Sequence, residues 1–156
     1  MMRIGVFSDT HGSIANLPQA CKLAGPLDAF VHLGDFGSDA LRMAELLPVP
    51  FHAVRGNCDF ASSFPRELVV EFEQASLLLV HGDAFRSTYE MGLRAEERHC
   101  AAVLFGHTHT PLVSAQGPVL ILNPGSLSRP RFGGAPSFAV LSVDGHDVSA
   151  KMFLLE

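Results

Sequence analysis

Arg3-Ile4-Gly5-Val6-Phe7-Ser8-Asp9-Thr10-His11 opens with a short apolar run and stops at a carboxylate and an imidazole two positions apart. The length and the β-branched and aromatic content of the run predict a buried strand from Arg3 to Phe7. The same design recurs four times. Ala29–Leu33 ends at Gly34-Asp35, Phe51–Val54 at Gly56-Asn57-Cys58-Asp59, Leu77–Val80 at His81-Gly82-Asp83, and Ala101–Phe105 at Gly106-His107-Thr108-His109. Leu17, Ala20, Cys21 and Ala24 fall at helical spacing between Asn16, a capping residue, and the Gly25-Pro26 stop. Asp39 to Leu47 is a second helical stretch, with Leu41, Ala44 and Leu47 on one side, and Thr88 to Glu97 is a third. A β-α-β-α-β opening favours a parallel sheet with right-handed crossovers. The last third has strands without helices, at Leu112–Ala115, Val119–Leu122, Ser137–Val143 and Val148–Leu154, with Asp144-Gly145 as a hairpin turn. A second, antiparallel sheet is expected there.

The composition sets the class. With 156 residues, 47% hydrophobic and 17% charged, the chain reads as one domain over residues 1–156, without repeats or low-complexity tracts. A chain of this size buries roughly 68–70% of its unfolded surface, so neither disulfides nor a structural metal is needed for the core. The 11 basic residues against 16 acidic ones give a net charge of −5, and no basic footprint for nucleic acid. Three cysteines without paired spacing, and an N-terminus that reaches Asp9 before any apolar leader forms, favour a reducing cytoplasm. The stretch free of charged residues from His99 to Ser128 is interrupted by Gly, Pro, Asn and His, so no membrane span is expected. The low charged fraction hints at some surface buried in a homo-oligomer.

In open α/β sheets ligands bind beyond the carboxyl ends of the strands, where all five polar clusters fall. Asp9 and His11, like His107 and His109, stand two apart, and in locally extended backbone each pair points to one side. Carboxylate, imidazole and amide oxygen form a donor set suited to Mn, Fe, Zn or Ni and poorly suited to calcium. The near absence of cysteine speaks against a structural thiolate zinc site.

The ordered set Asp-x-His, Gly-Asp, Gly-Asn-x-Asp, His and Gly-His-x-His resembles the calcineurin-like metallophosphoesterase superfamily. The Gly56–Asp59 form and the Asn123-Pro124-Gly125-Ser126 run resemble its small phosphodiesterase branch, over nearly the whole chain. The resemblance implies an α/β fold, a four-layer α/β/β/α sandwich of two mixed sheets. It also implies two divalent metal ions, manganese first among the candidates. Asp9, His11, Asp35 and His109 would hold one; Asp35, Asn57, His81 and His107 the other, with Asp35 bridging. Two such cations repel, so an anionic bridge of carboxylate and hydroxide is required, and the hydroxide attacks phosphorus in line. The expected activity is hydrolysis of small phosphoesters, diesters before monoesters, with Asp35, Asn57, Cys58 and His81 as the catalytic set. No large insertion forms a cap, so an open cleft is expected.

Two positions depart from the superfamily's pattern. Cys58 stands where many members carry a histidine able to protonate the leaving group, and a thiol is a weak donor, which restricts good activity to acidic leaving groups. Asp83 stands where a second histidine is common, and could orient a ligating imidazole or weaken anion binding. Asp59 either braces its loop or touches substrate, and Asn123–Ser126 would wall the site. Cys21 and Cys100 read as inert thiols, and His32, His52, His99 and His146 as imidazoles without a patterned partner. The rival from another class is a non-catalytic scaffold on the same fold, similar to the retromer subunit.

Overall fold

The computed structural model describes residues 1–156. In chain order the elements are β1 (Met2–Phe7), α1 (Leu17–Ala24), β2 (Ala29–His32), α2 (Asp39–Leu46), β3 (Phe51–Ala53), β4 (Glu67–Phe72), β5 (Ala75–Val80), α3 (Thr88–Glu97), β6 (Ala102–Leu104), β7 (Leu112–Gln116), β8 (Val119–Asn123), β9 (Ser137–Asp144) and β10 (Asp147–Leu154). No helix is long and apolar enough to cross a membrane.

Two mixed five-stranded sheets result, in the orders β10-β9-β1-β2-β3 and β4-β5-β6-β8-β7. β1, β2 and β3 are parallel, as are β5, β6 and β8, so the polar clusters after β1, β2, β3, β5 and β6 emerge at carboxyl ends. The inner faces of both sheets meet in a core that includes Ile4, Val31, Leu77, Leu104 and Leu141. Leu17 and Ala20 of α1 and Met43 of α2 pack on the outer face of the first sheet against Phe7, Phe30 and Phe138. Met91 and Ala95 of α3 cover the outer face of the second with Leu78, Val103 and Ile121. These are the four layers, and apolar burial in three seams holds them together.

Three expectations need correction. The last four strands do not make a sheet of their own. β9 and β10 extend the first sheet through antiparallel pairing of β9 with β1, Met2 opposite Val143, while β7 and β8 complete the second. β4 lies outside every sequence-based strand: Glu67-Leu68-Val69-Val70-Glu71-Phe72 pairs antiparallel with β5 as an edge strand of partial burial. In α2 the core side is Ala40 and Met43, whereas Leu41 is 58% exposed. Apolar spacing over eight residues fits more than one face, and packing against Phe30 and Ala53 selects the smaller Ala40 with the adaptable Met43.

Candidate metal centre

The carboxyl ends of the parallel strands converge on two groups of side chains. Ligand atoms of Asp9, His11, Asp35 and His109 lie within 4.8 Å of one another, as do those of Asp35, His81 and His107, and Asp35 belongs to both. His11 Nε2 and His109 Nε2 face each other at 3.3 Å, and Asp9 Oδ1 stands 3.4 Å from the latter. His81 Nε2 lies 3.3 Å from Asp35 Oδ1, and His11 Nε2 3.5 Å from Asp35 Oδ2. Asp9 and Asp35 are buried carboxylates with only imidazoles as charged neighbours within ion-pair distance. Asp9 Oδ1 and His81 Nε2 are buried without a hydrogen-bond partner. Leaving such atoms unsatisfied costs about 1–3 kcal/mol each, and a cation in each group would engage one of them and remove that cost.

The outward nitrogens agree. His81 Nδ1 stands 2.7 Å from Leu33 O and His109 Nδ1 2.6 Å from Arg129 O. A carbonyl only accepts, so in each ring Nδ1 carries the proton and Nε2 presents a lone pair inward, as metal-ligating histidines require. Asp9 Oδ2 accepts from Ser8 Oγ at 2.6 Å and from the His107 N–H at 3.0 Å, which leaves Oδ1 free.

The backbone reaches this convergence by a route the spacing did not indicate. Asp9, His11, Asp35, His107 and His109 all have positive φ, from 49° to 68°, so Asp9 and His11 share a side through left-handed turns, not through extended chain. Such conformations cost roughly 1–2 kcal/mol per residue for a side chain beyond glycine, and they persist only where the surroundings impose them. The surroundings are specific. Asp59 accepts from the N–H groups of Asp35, Phe36, Gly37 and Gly56 at 2.7–2.9 Å. Ser126 Oγ donates to Asp9 O at 2.8 Å and Ser128 Oγ to Thr10 O at 2.6 Å. Asn123 Nδ2 donates to Gly106 O and Thr108 Oγ1, both at 3.0 Å. Two glycines let the loops touch: a Cβ on Gly56 would collide with Asp35 Oδ1, and one on Gly106 with Ser8 Oγ and Asp9 Oδ2.

Comparison with known proteins agrees with this geometry. Residues 2–146 match the calcineurin-like phosphoesterase superfamily domain. The chain belongs to that superfamily. It is 30% identical over 169 residues to phosphodiesterase YfcE of Escherichia coli K12, covering 92% of this chain and 89% of the relative. Among solved structures it is similar to a conserved uncharacterized protein, a predicted phosphoesterase, of Streptococcus pneumoniae TIGR4, at 28% identity and TM-score 0.75 over 99% and 98% of the two chains. Vps29 of Chaetomium thermophilum shares the fold at TM-score 0.80 and 17% identity, over 98% and 97% of the two chains.

All six histidines and aspartates among the seven residues assigned as ligands fall in the two groups. Asn57, an amide-oxygen candidate, sits in the exposed turn after β3, with its amide nitrogen 3.8 Å from Cys58 Sγ. The neighbouring Cys58 N–H donates to Asp35 Oδ1 at 3.0 Å, so this turn abuts the shared carboxylate. Asp83 orients no imidazole: its ion-pair partner is Arg66 at 3.8 Å. Asp59 is the loop brace described above, and Asn123–Ser126 supports the ligand loops from behind.

Burial opposes protonation of His81, but the Asp35 and Asp9 carboxylates outweigh it and raise its pKa. Asp9 raises His109 against burial, whereas burial lowers His11 despite both carboxylates. Burial would raise Asp35, but His81 and the Cys58 N–H hold it well below the usual carboxylate range. Burial, then the Asp35 charge, push the Cys58 thiol up, so it stays protonated at neutral pH.

One expectation is corrected beside the site: His32, read from the sequence as an imidazole without a patterned partner, has partners at both ring nitrogens. His32 is fully buried, with Nδ1 accepting from the Gly34 N–H at 3.1 Å and Nε2 2.9 Å from Thr10 Oγ1. Thr10 Oγ1 donates to Asp39 Oδ2 at 2.6 Å, and the Gly12 N–H donates to that same oxygen at 2.8 Å. The backbone N–H fixes Nδ1 as the acceptor and the proton on Nε2, and burial lowers the pKa to about 4. The available signal was a lone polar residue in the otherwise apolar run Ala29–Leu33, which demands partners.

Proposed function

We propose that this chain is a dinuclear metal-dependent phosphoesterase that hydrolyses small phosphodiesters in preference to monoesters, with manganese as the activating ion. Asp9, His11, Asp35 and His109 hold one cation; Asp35, Asn57, His81 and His107 hold the second. The observation that carries the reading is the pair of ligand groups sharing Asp35, with Asp9 Oδ1 and His81 Nε2 buried and unsatisfied. A bound pair of divalent cations supplies Lewis acidity and an acidified water for attack on phosphorus.

The protein's own groups do the rest. Asp35 places Oδ2 beside His11 and Oδ1 beside His81, so its one negative charge would serve both cations. The carbonyls of Leu33 and Arg129 hold His81 and His109 in the tautomer that presents Nε2. Cys58 stands beside Asp35 as a neutral thiol, a weak donor to a departing alkoxide, so substrates with acidic leaving groups fare best. The 30% identity to a protein named a phosphodiesterase supports diesters. The three cysteines are free, in keeping with a reducing cytoplasm.

The scaffold reading has Cys58 and Asp83 in its favour. A scaffold, however, gains nothing from five ligand residues held in left-handed backbone. The deciding experiment measures metal content and hydrolysis of bis(p-nitrophenyl) phosphate and p-nitrophenyl phosphate by the wild type and Asp35→Asn. Diester turnover with about two bound metals, lost together in a folded variant, is the expected result. Wild-type turnover in the variant, or no metal uptake by the wild type, overturns the proposal.

A further inference from the structure

The loops that carry Asp35 and Asn57 also enclose a cleft of about 350 Å³, lined by Phe36, Leu41, Cys58, Asp59, Phe60 and Phe64 among others. It opens beside the proposed metal centre. Phe36 follows Asp35 directly and its ring centre is 5.5 Å from that of His11, while Cys58 touches Asp35 through its N–H. A phosphorus atom held at Asp35 therefore has one of its ester groups within reach of this wall.

The chemistry of the lining selects the group. No lysine, arginine or histidine lines the cleft, and its one charged side chain, Asp59, spends both oxygens on four backbone N–H groups. A second phosphate or a carboxylate would find no cation here and would meet a negative charge. The remaining polar groups are three serines, of which Ser62 Oγ already accepts from the Phe64 N–H. Against this stand large apolar faces left open to water: Phe36 is 39%, Leu41 58% and Phe60 93% exposed. Aromatic walls gain most from a flat ring, through burial and through offset or edge-on contact. The volume lies at the lower end of the range for small-molecule sites and holds a ring with room to tilt.

We infer that this cleft is the subsite for an uncharged aromatic ester group, so that the preferred substrates are phosphodiesters bearing a ring on one side. The inference rests on the phosphoesterase reading and names the substrate class of the same site. Diorganophosphinates carry the single charge of a diester and no cleavable P–O–C bond, and so report binding without turnover. Calorimetry on the manganese-loaded protein should give methylphenylphosphinate about tenfold tighter binding than dimethylphosphinate. That ratio should fall toward one in the double variant Leu41→Ser/Phe60→Ser, whose two sites are exposed and leave the core intact. Because the chain has no tryptophan, Phe60→Trp supplies a single reporter whose emission should change with the phenyl ligand and not with the methyl one.

Equal affinities in the wild type, a ratio that survives the double variant, or no binding of either phosphinate overturns the subsite. Hydrolysis of methyl p-nitrophenyl phosphate, followed in parallel, reads the catalytic proposal separately. Turnover with equal phosphinate affinities removes the subsite and spares the phosphoesterase, whereas a phenyl preference without turnover of any diester removes the phosphoesterase, and the substrate class with it, and leaves only a ring-binding cleft.

Discussion

Replacing Asp59 with asparagine is the sharpest test of what holds the shared carboxylate in place. Asp59 Oδ2 accepts from the N–H groups of Asp35 and Gly56, and Oδ1 from those of Phe36 and Gly37, all at 2.7–2.9 Å. An asparagine of the same shape keeps one oxygen, and its amide NH2 must face two N–H donors. Whichever way it flips, one pair loses its acceptor and meets another donor. Charge-assisted hydrogen bonds contribute about 1.5–3 kcal/mol each when buried. Because these bonds are part-exposed, the lower end applies, and two of them give a loss of about 3 kcal/mol. For a domain of this length that is about 6–12 °C in Tm. Urea unfolding at pH 7 in the presence of a chelator measures the loss without metal linkage, and calorimetric titration with Mn2+ measures the site. The variant should also bind metal about 10–100-fold more weakly, because the Asp35 backbone is no longer held in its left-handed turn. A stability change under about 1 kcal/mol with unaltered metal affinity would refute the bracing role.

Three further outcomes follow from the same geometry. His32 has a folded-state pKa of about 4 against an ordinary 6.5, so the unfolded chain gains a proton first as pH drops. This group's contribution is complete above pH 6.5 and is lost between 6.5 and 4; His32→Gln should remove about 3 kcal/mol of that acid sensitivity in urea midpoints across the window, and parallel curves would contradict it. Gly106→Ala places a methyl on Ser8 Oγ and Asp9 Oδ2, so metal affinity should drop about 10–100-fold while helix content is retained; unchanged affinity would show that Asp9 tolerates displacement. With a neutral Cys58 thiol as the group beside Asp35, hydrolysis of aryl diesters should slow steeply as leaving-group pKa rises, and a flat series would reveal an unassigned proton donor.

How far the sequence carried the reading depends on whether the deciding contact is local. The loaded strand ends were legible because an α/β sheet exposes only its strand termini for chemistry, so Asp9, Asp35, His81 and His107 had to follow apolar runs. The pairing of β9 with β1 was not, since Met2 finds Val143 across nearly the whole chain and the alternation in either strand is indifferent to its partner. β4 was missed because its glutamates bracket a run in which Leu68 and Val69 are half-buried and Val70 buried, which gives no clean period, and its position comes from lying beside β5. Dihedral angles were hidden as well. An Asp-x-His spacing fits extended chain and a left-handed turn equally, and contacts distant in sequence, Ser126 to Asp9 O, Ser128 to Thr10 O and Asp39 to the Gly12 N–H, select the latter.

That selection explains why so many polar residues surround the site without touching it. A positive φ at five ligand positions is a sizeable charge against a net stability that for most domains is only about 5–15 kcal/mol. No single contact offsets it, and the strained segments are therefore tied at several points to rigid neighbours: Asp9 through Ser8, Ser126 and the His107 N–H, Asp35 through Asp59 and Cys58, and Thr10 through His32 and Asp39. Most of these ties engage a backbone group or the outer side of a ligand; the Cys58 N–H shares Asp35 Oδ1 with the site, while Asp9 Oδ1 and His81 Nε2 are left bare. A fold selected for stability alone would have satisfied Asp9 Oδ1 and His81 Nε2; here the supporting residues leave one unsatisfied atom in each of the two ligand groups.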